Sequence, residues 1–176
     1  MTNVPSEELQ VFDQGNLQKV LVIGIGNEYR SDDAIGLVIV REIRERHILS
    51  VSVKEESGEG AALMEAWQGY ESVIIVDATL SGTKPGTISK FEANKEILPM
   101  KFFHYSTHAF SLAEAIKLSK TMNTLPPNLL IFGIEGANFN AGVNISHVVQ
   151  VSAKRVVEQI LREVEILSSR KVTACC

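Results

Sequence analysis

The sequence predicts an α/β fold: a mostly parallel sheet with helices on both faces and one antiparallel edge strand. Three observations predict it. Short apolar, β-branched runs alternate with longer amphipathic segments along the chain, the order that builds successive β-α-β units. The runs Lys19–Ile25 (KVLVIGI) and Val73–Val76 (VIIV) are apolar at successive positions, as strands covered on both faces must be. The run Thr87–Phe91 follows a Pro85–Gly86 turn instead of a helical crossover, which suits an antiparallel edge.

The elements follow in order. After the first strand, Gly24 and Gly26 mark a tight turn. Ser31 then serves as the N-cap of a helix, with Asp32 and Asp33 in its first turn and Ile35, Val38, Ile39 and Ile43 at helical spacing. Val51–Glu55 reads as a strand and Ala61–Trp67 as a short helix. The strand Val73–Val76 ends in Asp77. A helix is expected over His108–Ser119, a strand over Leu129–Ile134 after the breaker Pro126–Pro127, and a long helix over Ser146–Leu167 with Val149, Val156, Ile160, Val164 and Leu167 on one stripe. Residues 1–18 are expected to form a loosely held leader, 19–168 a single domain, and 169–176 a C-terminal tail.

With 176 residues, 45% of them hydrophobic and 22% charged, the chain can bury a core without a metal or disulfide to hold it. A net charge of −4 excludes a basic protein built to grip nucleic acid. No apolar run approaches the roughly 20 residues of a membrane span, and the polar, acidic N-terminus does not read as a secretory signal. The cysteines are Cys175 and Cys176, adjacent at the last two positions, so they cannot staple the fold. A monomeric cytoplasmic protein is expected.

In doubly wound sheets, ligands bind beyond the carboxyl ends of the strands, and three stretches place chemistry there. In GIGNEYRSDDAIG (24–36), a dinucleotide fingerprint would require glycine where Tyr29 stands. Asp32 and Asp33 would also repel a pyrophosphate at the helix start, where a cation is favoured instead. Alone, the two acids are ordinary helix-start chemistry. Asp77, directly after VIIV, is either a cap residue or a functional carboxylate in the crevice. His108 opens a helix, with His104 as a competing candidate, while His47 and His147 fall at helix ends and are read as structural. Two carboxylates and an imidazole from separate loops make a plausible metal site. Oxygen and nitrogen donors suit zinc, nickel, manganese or iron, and three protein ligands leave positions open for water or substrate.

At these residues the chain resembles the hydrogenase maturation endopeptidases, through VLVIGIGN leading to SDDAIG, then VIIVDA, STHAFSLAEA and IFGIEGANFNAG. The resemblance covers residues 19 to 167. It implies a three-layer α/β/α sandwich around a twisted sheet, and removal of a C-terminal extension from the large subunit precursor of a nickel–iron hydrogenase. It also implies that Asp33, Asp77 and His108 are the catalytic, metal-contacting residues, with Asp32 as a neighbour of the site. The nickel would be supplied by the substrate, and zinc or cadmium could occupy the same place. Two departures stand out. Relatives carry a glycine-threonine loop after the second strand where this chain reads SGEGAAL, with Gly58 and Gly60 but no threonine, and proline where it has Gly136. A nickel-sensing chaperone that docks without cutting, and a small-ligand binder using the GIGN turn, are the competing expectations.

Overall fold

A computed structural model describes residues 19–96 and 111–169. Five strands form one sheet: β1 (Val20–Ile25), β2 (Val51–Glu56), β3 (Ser72–Thr79), β4 (Ile88–Glu92) and β5 (Asn128–Glu135). Their spatial order is β2-β1-β3-β5-β4. All neighbours are parallel except β4, which lies antiparallel to β5 at the edge, as the Pro85–Gly86 turn predicts. β1 and β3 are apolar throughout their central residues because each is covered on both faces.

The helices are α1 (Ile35–Glu45), α2 (Gly60–Trp67), α3 (Leu112–Thr121) and α4 (His147–Ser169). Ile35, Ile39 and Ile43 of α1 and Val156, Ile160 and Val164 of α4 pack with Val22, Ile74 and Phe132 on one face of the sheet. Leu63 and Trp67 of α2 and Leu112, Ala115 and Ile116 of α3 pack with Leu21, Ile23 and Ile75 on the other. The sheet is thus the middle layer of three, as expected. Period-two alternation along each strand divides the apolar residues between two cores.

Several boundaries differ from the sequence reading. Ser31 does not cap a helix: a 3-10 turn (Ser31–Ala34) precedes α1, with Arg30 at its cap position. Val38 lies on the open side of α1, at 39% exposure, while Leu37 and Val40 are buried. Asp77 does not follow its strand but lies inside it, since β3 pairs with β5 through Thr79↔Glu135. The described part of α3 starts at Leu112 under a capping box of Ser111 and Glu114, later than the expected start at His108. α4 runs from His147 to Ser169, two residues past the expected end at Leu167. His104, His108, Cys175 and Cys176 lie outside the described residues, as does the expected leader. Among the described residues no helix is long and apolar enough to cross a membrane.

Candidate active site

Strand order reverses between β1 and β3, since the chain leaves β1 toward β2 on one side and reaches β3 on the other. This is the switch point where a doubly wound sheet opens a crevice at its carboxyl edge. Asp33 enters from the β1 side and Asp77 from the β3 side.

Glycines bring the two together. A Cβ on Gly36 would lie 2.2 Å from the Ile25 carbonyl oxygen and 2.5 Å from that of Val76, so the start of α1 rests directly on the ends of β1 and β3. A Cβ on Gly24 would lie 2.3 Å from the Gly36 oxygen, and one on Gly26 would lie 2.0 Å from the Asp33 oxygen. These glycines therefore serve close approach of helix to sheet. The space beside them is filled by the chain itself rather than left open to a phosphate.

Asp33 and Asp77 are both half-buried. Burial pushes the Asp33 carboxyl up, against the lowering effects of Arg30 and the Asn27 backbone N–H. Asp77 is pushed up to about 8, first by burial and then by the charge of Asp33, with the Ala78 backbone pulling the other way. Asp77 thus feels the charge of Asp33, and burial works against the ionised form of both carboxyls. A carboxyl raised in this way beside a second carboxyl is held toward its protonated form.

Asp32, beside them in sequence, is a different kind of group. It is fully buried, and its carboxylate accepts the backbone N–H groups of Ala137 (2.7 Å), Asn138 (2.8 Å) and Ser146 (2.6 Å). Its own N–H donates to the Asn138 oxygen at 3.0 Å. Ser31 keeps a φ of 50° because its N–H donates to the Gly142 oxygen and its hydroxyl to the Asn140 oxygen. The turn that carries Asp33 is therefore tied to the 137–146 loop.

A buried carboxylate that the sequence reading missed is Glu135, at the end of β5. It is 1% exposed and accepts from the Thr79 hydroxyl, the Ser81 N–H and hydroxyl, and the Gly82 N–H, all at 2.8–3.0 Å. Burial alone would raise its carboxyl, but these hydrogen bonds together outweigh burial and hold it below its ordinary value. It carries the same sequence signal as Asp77, an acid at the end of an apolar run (IFGIE beside VIIVD). Next to it, the Gly136 N–H donates to the Thr79 oxygen at 2.9 Å, a bond that proline could not make.

Among the described residues no group of three histidine, cysteine or acidic side chains is arranged to hold a metal ion. Of the three expected site residues, Asp33 and Asp77 lie near enough for the charge of Asp33 to act on Asp77. The third, His108, lies outside the described residues. His47 and His147 are exposed at the end of α1 and the start of α4 and make no approach to the crevice that the structure records.

Comparison with known proteins decides the family. The model of the hydrogenase maturation proteases matches residues 37–163. The chain belongs to the hydrogenase maturation protease family. It is 25% identical over 146 residues to the hydrogenase 2 maturation protease of Escherichia coli, a match that covers 81% of this chain and 88% of that one. Its fold is similar to the hydrogenase maturating endopeptidase HybD from E. coli, with TM-score 0.68, 22% identity, and coverage of 84% and 92% of the two chains. A [NiFe] hydrogenase maturation protease HybD from Thermococcus kodakarensis is alike to the same degree, with TM-score 0.68, 25% identity, and coverage of 83% and 99%. Membership of this protease family makes the chain a peptidase of hydrogenase maturation.

Proposed function

We propose that the chain removes the C-terminal extension of a nickel–iron hydrogenase large-subunit precursor after nickel insertion, with Asp33, Asp77 and His108 contacting the metal. The observation that carries this reading is the pair of raised carboxyls at the switch point of a hydrogenase maturation protease fold. The nickel arrives as part of the substrate, held by the precursor's cysteine thiolates. In the free enzyme Asp77 holds a proton near neutral pH. An incoming divalent cation lowers both carboxyls and displaces that proton, so docking rewards a loaded precursor over an empty one.

The position of α3 supports His108 as the third contact. α3 runs back to the amino end of the sheet, where β5 begins, so its N-terminus lies at the carboxyl edge that holds Asp77. His108 precedes the cap residue Ser111 by three residues, a span of at most about 11 Å. Attack by water on the scissile carbonyl is favoured, because Glu135, which accepts the Ser81 hydroxyl, is committed to four donors and held below its ordinary value, a poor base for activating that serine.

The test is cleavage set against metal. Purified protein is expected to carry little tightly held metal, and to cut nickel-loaded precursor but not metal-free precursor. A zinc peptidase would instead hold zinc stoichiometrically and cut without nickel. Asp33→Ala, Asp77→Ala and His108→Ala should each abolish cleavage, read by the mass of the precursor's C-terminus. Unaltered cleavage by Asp77→Ala refutes the proposal. A precursor that is bound but keeps its full mass identifies a non-cutting chaperone.

A further inference from the structure

We infer that residues 135–138 form a rigid crosspiece that sets the spacing of Asp33 and Asp77, with Asp32 and Glu135 as the positioning residues at its two ends. The inference rests on the reading of Asp33 and Asp77 as the site. One end of the crosspiece is fastened to the extension of the Asp77 strand. There Glu135 gathers Thr79, Ser81 and Gly82, and the Gly136 N–H donates to the Thr79 oxygen. The other end is fastened to the turn that carries Asp33. There Asp32 accepts the N–H groups of Ala137 and Asn138 and returns its own N–H to the Asn138 oxygen.

Both positioning carboxylates are buried, at 0% and 1% exposure, and each is met by three or more donors. Taking the donors away from either would leave a buried carboxylate uncompensated, which makes each fastening stiff. Between the fastenings the chain is only four residues long, from Glu135 to Asn138, and its middle is close-packed. A Cβ on Gly136 would lie 2.5 Å from the Phe139 ring and 3.3 Å from the Asp32 Cβ. Neither Asp32 nor Glu135 touches the reacting atoms. Each acts on the site through the element it holds, so each is a positioning residue and not a catalytic one.

A rigid link is reciprocal, and this defines the experiment. Amide hydrogen exchange is measured by NMR on the full chain for wild type, Asp32→Asn and Glu135→Gln, and processing of nickel-loaded precursor is measured in parallel. Glu135→Gln should speed exchange at the Ser31 and Asp32 amides, and Asp32→Asn should speed it at the Ser81 and Gly82 amides. Each variant should lower kcat about tenfold or more with KM changed by less than about twofold. The double variant should be no worse than the poorer single one, because the link is already released.

Exchange that rises only in the loop next to each substitution overturns the inference, as do single effects that multiply in the double variant. Loosening across the crosspiece with kcat intact overturns the positioning role alone. Loss of the functional reading shows up separately, as unaltered processing in Asp33→Ala and Asp77→Ala. If Asp32→Asn fails to fold, Thr79→Val with Ser81→Ala removes two hydroxyl donors from Glu135 and leaves its backbone donors in place. That pair must reproduce faster exchange at Ser31 and Asp32 together with a fall in kcat, and its failure to do so overturns the inference equally.

Discussion

Replacing Asp77 by asparagine should stabilise the protein near neutral pH while abolishing processing. The carboxyl is pushed from an ordinary value of 3.8 up to about 8 by burial and by Asp33. Below about pH 4 the side chain is protonated in both folded and unfolded chains and has no effect on the balance. From about pH 4 to about 8 the unfolded chain ionises while the folded one keeps its proton, so stability falls as pH rises, by about 1.4 kcal/mol per unit. At pH 7 this comes to about 4 kcal/mol as a ceiling. Asp77 is half-buried, so solvent screening lowers the figure, and the asparagine amide must be accommodated in turn. A net gain of about 1–3 kcal/mol at pH 7 is expected.

Urea unfolding from pH 4.5 to 8.5 is the assay. Wild type should lose stability steadily across that range. Asp77→Asn should show a flatter profile that starts level with wild type, or below it, and crosses above it before neutrality. Parallel profiles for the two proteins would refute the reasoning, because Asp77 would then not be the group that stores the cost. Crossing profiles together with lost cleavage would mark a site that gives up stability for function.

Further outcomes follow from the same contacts. Gly36→Ala places a methyl group against the Ile25 and Val76 carbonyl oxygens and should destabilise by about 3 kcal/mol or more in thermal unfolding, since backbone on both sides leaves little room to yield. It should also lower processing, because α1 and the Asp33 turn must lift from the sheet. Glu55→Ala removes the partner of Arg41 and Arg44 on the surface and should cost no more than about 1 kcal/mol, an effect that shrinks further in high salt. Ser111→Ala breaks the capping box at the head of α3 and should cost about 1 kcal/mol by the same measure.

Most of the fold was legible in the sequence because its strands are buried on both faces. Runs such as VLVIGI and VIIVDA can be little else in a chain of this composition, and Pro85–Gly86 announced the edge strand without reference to any distant residue. The miss at Ser31 has a long-range cause. Serine before two acids is a local signature of a helix cap, but Ser31 and Asp32 are bonded to residues 138–146, more than a hundred positions away. Those partners bend the segment into a 3-10 turn before α1 can start. The glycines were visible as a turn signal. Their function, clearing the way for α1 to lie on β1 and β3, depends on a helix–sheet approach that no local pattern records.

Asp77 and Glu135 show most clearly what the residues alone leave open. Each is an acid at the end of an apolar run, on adjacent strands, separated by two residues in register. The difference lies in what meets the carboxylate. Glu135 receives hydroxyl and backbone donors from Thr79, Ser81 and Gly82 and ends below its ordinary value. At Asp77 burial and the charge of Asp33 outweigh the Ala78 backbone, and the carboxyl ends far above it. The same contrast divides the neighbours Asp32 and Asp33: the first is surrounded by N–H groups from the 137–146 loop, and the second is raised by burial. Supplied carboxylates hold a structure together, whereas undersupplied ones keep an affinity for positive charge. The fold places one of each kind on both sides of the crevice. On the function proposed above, Asp33 and Asp77 are the pair that a docked nickel ion would satisfy.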